Sequence, residues 1–79
     1  MSGPAGMAVR PAVRCSRGHG IGQVYKDAAD GTLFAPGLPL DGDQPRDVLC
    51  GKCGRSYQVD PRRLRRAIRE RWRNLVVQS

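Results

Sequence analysis

Cys50-Gly51-Lys52-Cys53-Gly54 holds two thiols two residues apart, with a glycine directly behind them. A C-x2-C turn lets two sulfurs grip one ion while its inner backbone N–H groups point at them. The remaining cysteine and the only histidine sit together upstream, in Cys15-Ser16-Arg17-Gly18-His19. Thirty residues separate His19 from Cys50. Cys15, His19, Cys50 and Cys53 therefore use every cysteine and the one histidine of the chain. Three thiolates and an imidazole suit a tetrahedral Zn2+. We expect one structural zinc per chain on these four residues. His19 is the sole protein candidate for the fourth donor; water or a partner's side chain is the alternative. A lone C-x2-C is also a redox spacing. That reading fails on size, because 79 residues do not make a thioredoxin-like fold, and on position, because the pair does not open a helix.

Four protein ligands close the coordination sphere. No open position remains for an activated water, which argues against a zinc hydrolase or deaminase. A deaminase also needs a catalytic Glu near the His, and Glu70 is the only Glu. There is no Ser/His/Asp set, no phosphate-cradling glycine loop and no framed pair of carboxylates. Asp41 and Asp43 resemble a fragment of a calcium loop, but the twelve-residue pattern with its terminal Glu is absent. The chain is not expected to be an enzyme.

So small a chain buries little apolar surface, and domains of this size lean on disulfides or a metal. Three cysteines cannot all pair within one chain. No secretory apolar region is visible, since Met1 to Val13 is interrupted by Gly3, Pro4, Gly6, Arg10 and Pro11. These points favour a reducing, cytoplasmic setting and metal rather than disulfides. No apolar run is long enough for a membrane span.

The elements that must hold the ligands follow in order. Residues 1–12 show no periodicity and are expected to form a disordered tail. Val13-Arg14-Cys15 leads as a short strand into the first knuckle. Strands near 22–28 and 32–35 flank Asp30-Gly31, a hairpin signal. Pro36 to Pro45 is a turn-rich loop whose acids could meet the basic C-terminal segment. Arg46 to Leu49 feeds the second knuckle, and Arg55 to Val59 leaves it. Asp60-Pro61 is an N-cap followed by a tolerated first-turn proline. Leu64, Ala67, Ile68, Trp72 and Leu75 then fall on one helical stripe. The pattern predicts one long helix from about 61 to 76.

Two knuckles, an intervening hairpin and a strand after the second knuckle resemble the zinc-ribbon (rubredoxin-like) group over residues 13–59. Treble-clef proteins place the second ligand pair at the helix start, whereas here about seven residues intervene. The resemblance implies Cys15, His19, Cys50 and Cys53 as ligands and a sheet of about three antiparallel strands. The chain departs from the group in its C-x3-H knuckle and in its appended basic helix over 60–79. The expected class is thus a small zinc-stapled α+β domain. Zinc ribbons serve in transcription factors, ribosomal proteins, polymerase subunits and interaction modules, so the resemblance says little about function.

Charge says more. Residues 1–49 hold five Lys/Arg and five Asp/Glu, whereas residues 50–79 hold nine and two, the whole of the +7. Arg binds phosphate in bidentate fashion and stays charged. The first expectation is nucleic-acid binding, to DNA or RNA, through Arg62, Arg63, Arg65, Arg66, Arg69 and Arg73, with Lys52 and Arg55 on the knuckle. Arg71 would lie along the apolar stripe. The second is an adaptor that docks on an acidic protein, such as transcription machinery or, for a phage-encoded chain, a host protein. Trp72, Leu75 and Val76 extend past what a small sheet covers. They would contact that partner, or a second copy in a homodimer through the helix. An ordinary solvated arginine surface is the reading that claims least.

Overall fold

A computed structural model describes residues 6–78 of the chain. The elements run β1 (Gly6–Arg14), β2 (Gly20–Asp27), β3 (Leu33–Phe34), β4 (Arg46–Leu49), β5 (Ser56–Val59), α1 (Pro61–Arg69) and β6 (Asn74–Val76). Four strands form a mixed sheet in the order β3-β2-β1-β6, and β4-β5 form a separate two-stranded sheet. Within the first sheet β1–β2 and β2–β3 are antiparallel, and β1–β6 is parallel. No helix among the described residues is long and apolar enough to cross a membrane.

This corrects the expected architecture of three antiparallel strands followed by one long C-terminal helix. The helix starts where Asp60-Pro61 says it should, with the Asp60 carboxylate accepting the Arg62 N–H at 2.9 Å. It ends at Arg69, seven residues short of the expected end at about 76. Arg71 is left-handed, with φ 59. The Trp72 N–H reaches the Ala67 carbonyl at 2.9 Å, and the Arg71 N–H reaches Ile68 at 3.2 Å. These are the two bonds of a Schellman stop, made without the usual glycine. Glu70 clamps the end: its two carboxylate oxygens accept from Arg66 at 2.9 Å and from the Trp72 indole at 3.0 Å. The Arg66 bond, then the Trp72 bond, hold the Glu70 pKa below its ordinary value. A depressed acid stabilises above its unfolded pKa, so this clamp is intact at neutral pH and fades on strong acidification.

Past the stop the chain extends. Leu75 pairs with Val13 across β1–β6, and the Val77 N–H donates to the Arg14 carbonyl at 2.9 Å. Leu75 and Val77 are buried and Val76 between them is exposed, which is the period of a strand. The helical spacing of Leu75 was therefore coincidental.

Residues 6–12, read from the sequence as part of a tail, form most of β1; residues 1–5 of that tail lie outside the described residues. Pairing runs Gly6 to Val9 against Asp27 to Val24, then breaks across Arg10-Pro11 before resuming at Ala12. The Gln23 side-chain amide spans the break by donating to the carbonyls of Val9 and Pro11. This bulge shifts the alternation midway, so no period-2 pattern shows in the sequence.

The core lies between α1 and the four-stranded sheet and continues to the knuckles. Val13, Cys15, Val24, Cys50, Tyr57, Val59, Leu64, Leu75 and Val77 are all nearly inaccessible. The loop after β3 closes one side: a Cβ on Gly22 would sit 2.5 Å from Leu38, so a side chain there would expel the loop. Arg65 pins the same loop, donating to the carbonyls of Leu40 and Gly42 and pairing with Asp43 at 3.3 Å.

A left-handed arginine costs about 1 kcal/mol that glycine does not. Arg71→Gly is therefore expected to raise the Tm of the metal-loaded protein by roughly 4–8 °C in a thermal melt. A lowered Tm would mean that the Arg71 side chain stabilises more than its backbone strain costs.

Candidate metal centre

Each knuckle is the tip of a hairpin. The first joins β1 to β2, with the Cys15 N–H donating to the His19 carbonyl at 2.9 Å. The second joins β4 to β5, with the Cys50 N–H donating to the Arg55 carbonyl at 2.9 Å. Gly18 and Gly54 turn the chain out of the knuckles at φ 90 and 71, where a side chain would be strained. Backbone amides already face the sulfurs: Arg17 N–H reaches Cys15 Sγ, and Cys53 N–H reaches Cys50 Sγ, both at 3.4 Å.

The two tips bring Cys15, His19, Cys50 and Cys53 together, with their ligand atoms all within 4.8 Å of one another. Cys15 Sγ lies 3.7 Å from Cys53 Sγ. His19 Nδ1 lies 3.1 Å from Cys53 Sγ and 3.8 Å from Cys50 Sγ. A tetrahedral ion with metal–sulfur bonds of about 2.3 Å separates its sulfurs by about 3.8 Å and its N/S pairs by slightly less. The cluster is therefore close enough to hold one metal ion. The three cysteines are unbridged; Cys15 and Cys50 are buried, and Cys53 is half-buried.

Electrostatics favour a bound cation. Burial alone would raise the Cys15 thiol. The amides of Arg17 and His19, then the neighbouring Cys53 and Cys50 thiols, outweigh it and bring the pKa down to about 6. Cys53 moves the other way. Tyr57 favours its thiolate, but burial, hydrogen bonding with Cys15 and Cys50 and the Cys15 charge push its pKa up. Three thiolates this close ionise together only around a positive ion.

Tyr57 is the site residue that sequence reasoning missed. Its ring is buried in the core, and the neighbouring Cys53, then burial, raise the tyrosine's own pKa. Alternation along β5 buries Tyr57 with Val59, but nothing in the sequence places it beside Cys53. Polar neighbours of metal ligands tune metal affinity. Tyr57→Phe keeps the packing and is expected to weaken metal binding about tenfold in a chelator competition. Unchanged affinity would reduce Tyr57 to a core residue.

The other candidates divide. Lys52 and Arg55 flank Cys53 and His19, joined by Arg17, a cation between ligands that the first knuckle offered in plain view. Arg62, Arg63, Arg65, Arg66, Arg69 and Arg73 are exposed. Three of them have intramolecular partners: Arg62 with Asp60, Arg65 with Asp43 and Arg66 with Glu70. Among the expected partner contacts, Val76 is exposed, Trp72 is half-buried and bonded to Glu70, and Leu75 belongs to the core. A scan against protein-family models, a search of curated proteins and a search of solved structures each return no match.

Proposed function

We propose that this chain is a small zinc-stapled module that binds nucleic acid through cations beside its metal centre and on α1. Zinc is the ion that three thiolates and one imidazole suit best, and four protein ligands give it a structural role. The observation that carries the binding reading is a cleft of about 270 Å³ at the metal centre, where Arg17 from one hairpin meets Lys52 and Arg55 from the other. Among the described residues no carboxylate lines it. A Zn2+ on three thiolates has a local charge of 2 − 3 = −1, so three cations leave the patch positive. Arg63 and Arg69 on α1 and Arg73 beyond it are further exposed cations without an ion-pair partner among the described residues.

The test is binding of the zinc-loaded protein to duplex DNA, single-stranded DNA and structured RNA across a salt series. Each phosphate contact removed should lower the salt slope by about one. Lys52→Glu with Arg55→Glu is expected to reduce the slope by about two while leaving zinc content unchanged. Loss of binding to all three classes at physiological salt would overturn the proposal.

A further inference from the structure

A second cationic feature lies on a different part of the molecule. The C-terminal end of α1 and the sheet beside it bound an open groove of about 730 Å³. Val9 from β1, Leu33 from β3 and Ile68 from α1 give it an aliphatic floor. Arg10 from β1, Lys26 from β2 and Arg71 from the helix stop bring three cations to it, and no carboxylate among the described residues lines it. None of the three makes an ion pair among the described residues.

The register accounts for the groove. Lys26 stands opposite Met7 on one side and Leu33 on the other, so these three share a sheet face, as does Val9 two residues from Met7. Val24, on the same face, is fully buried in the core, whereas Met7 and Leu33 remain 68% and 39% exposed. The nine-residue helix is too short to cover the whole face. Arg71 adds an independent pointer. It is the one non-glycine with positive φ among the described residues, at a position where glycine would be unstrained. Strain kept at a groove marks a side chain retained for function.

We propose that this groove binds an acidic, amphipathic peptide segment of a partner protein. Aliphatic side chains of the peptide rest on Val9, Leu33 and Ile68, and its carboxylates meet Arg10, Lys26 and Arg71. Charge complementarity selects this occupant. The groove has no aromatic lining on which bases would stack, which disfavours a single-stranded nucleic acid. A second copy of a +7 chain is opposed by its own charge. The inference is independent of nucleic-acid binding at the knuckles, since the two clefts share no lining residue.

The probe is a fluorescein-labelled peptide of alternating Leu-Leu and Asp-Glu pairs, read by anisotropy against the full zinc-loaded chain. Two control peptides replace its acids with amides or its leucines with serines. Saturable binding of the parent peptide and loss of binding by both controls are expected. Arg10→Glu and Lys26→Glu should each weaken it about tenfold, and Lys52→Glu should leave it unchanged. Arg71→Gly is the sharpest variant, because it should weaken the peptide while raising the Tm, which excludes misfolding as the cause. Absent binding, equal binding by a control peptide, or indifference to all three groove variants would overturn the proposal. So would displacement of the peptide by oligothymidylate that the same groove variants abolish. Failure of the nucleic-acid reading would instead show in the salt series and leave these results unmoved.

Discussion

Cys50→Ser is expected to abolish stoichiometric metal binding and, with it, the cooperative fold. The β4-β5 sheet shares no strand pairing with the four-stranded sheet. What ties the two are the ligand cluster at the hairpin tips and the shared core around Tyr57 and Val59. Structural zinc contributes roughly 10–16 kcal/mol in small domains, as much as the whole stability of a typical domain. Cys50 is fully buried, so a serine there also leaves a hydroxyl among sulfurs with no ion to bind. Native mass spectrometry should find one zinc per wild-type chain and none on the variant. Far-UV circular dichroism should show the variant unfolded, as should the wild type after chelation. Reductant alone should change nothing, because Cys15, Cys50 and Cys53 are unbridged. Cobalt substitution adds a test of the donor set: intense thiolate charge-transfer bands are expected with Co2+, weakened in Cys53→Ser and shifted in His19→Ala. His19→Ala should keep partial affinity, since a water takes the vacated position of a tetrahedral ion more readily than a neutral hydroxyl replaces a thiolate. A chelated wild type that melts at the same temperature as the metal-loaded one would refute the staple.

The cluster of candidate ligands was legible in the sequence because metal chemistry admits few residue types and this chain holds so few of them. The β2–β3 and β4–β5 hairpins were legible for a related reason: Asp30-Gly31 marks the turn of one, and the runs flanking Cys50 and Cys53 are local signals of the other. The two strands that complete the sheet were not. In β1 the bulge at Arg10-Pro11 splits the alternation into two short pieces, each too brief to register. In β6 three residues pair with a strand some sixty positions earlier, a contact that no local propensity encodes. The helix stop was hidden as well, because Arg71 occupies the place where a glycine would have announced it. The cations of the two proposed binding surfaces divide in the same way. Lys52 and Arg55 are visible because they neighbour ligands, whereas Arg10, Lys26 and Arg71 converge only once β1, β2 and α1 are assembled.

Leu75→Ala should then be among the most damaging single substitutions outside the metal centre. Leu75 is 1% exposed and pairs with Val13, in the cluster that includes Val24, Leu64 and Val77. Truncating a buried leucine costs about 2–5 kcal/mol, part from lost transfer free energy and part from the cavity. In a domain of this size that is a large share of the total, and the Tm should fall by roughly 10 °C or more. Val76→Ala, one residue along and exposed, should change stability by about 0.5 kcal/mol or less. Urea unfolding of the metal-loaded variants measures both. The contrast discriminates between the two conformations of this segment. Were residues 61–76 one helix with Leu75 on a partner-facing stripe, alanine, the strongest helix former, would leave the monomer as stable or more so. In β6 the same change removes the side chain that holds the last strand against the core. A large loss at Leu75 beside a small one at Val76 therefore reports the period-2 burial of a strand. Equal small effects at both would restore the continuous helix.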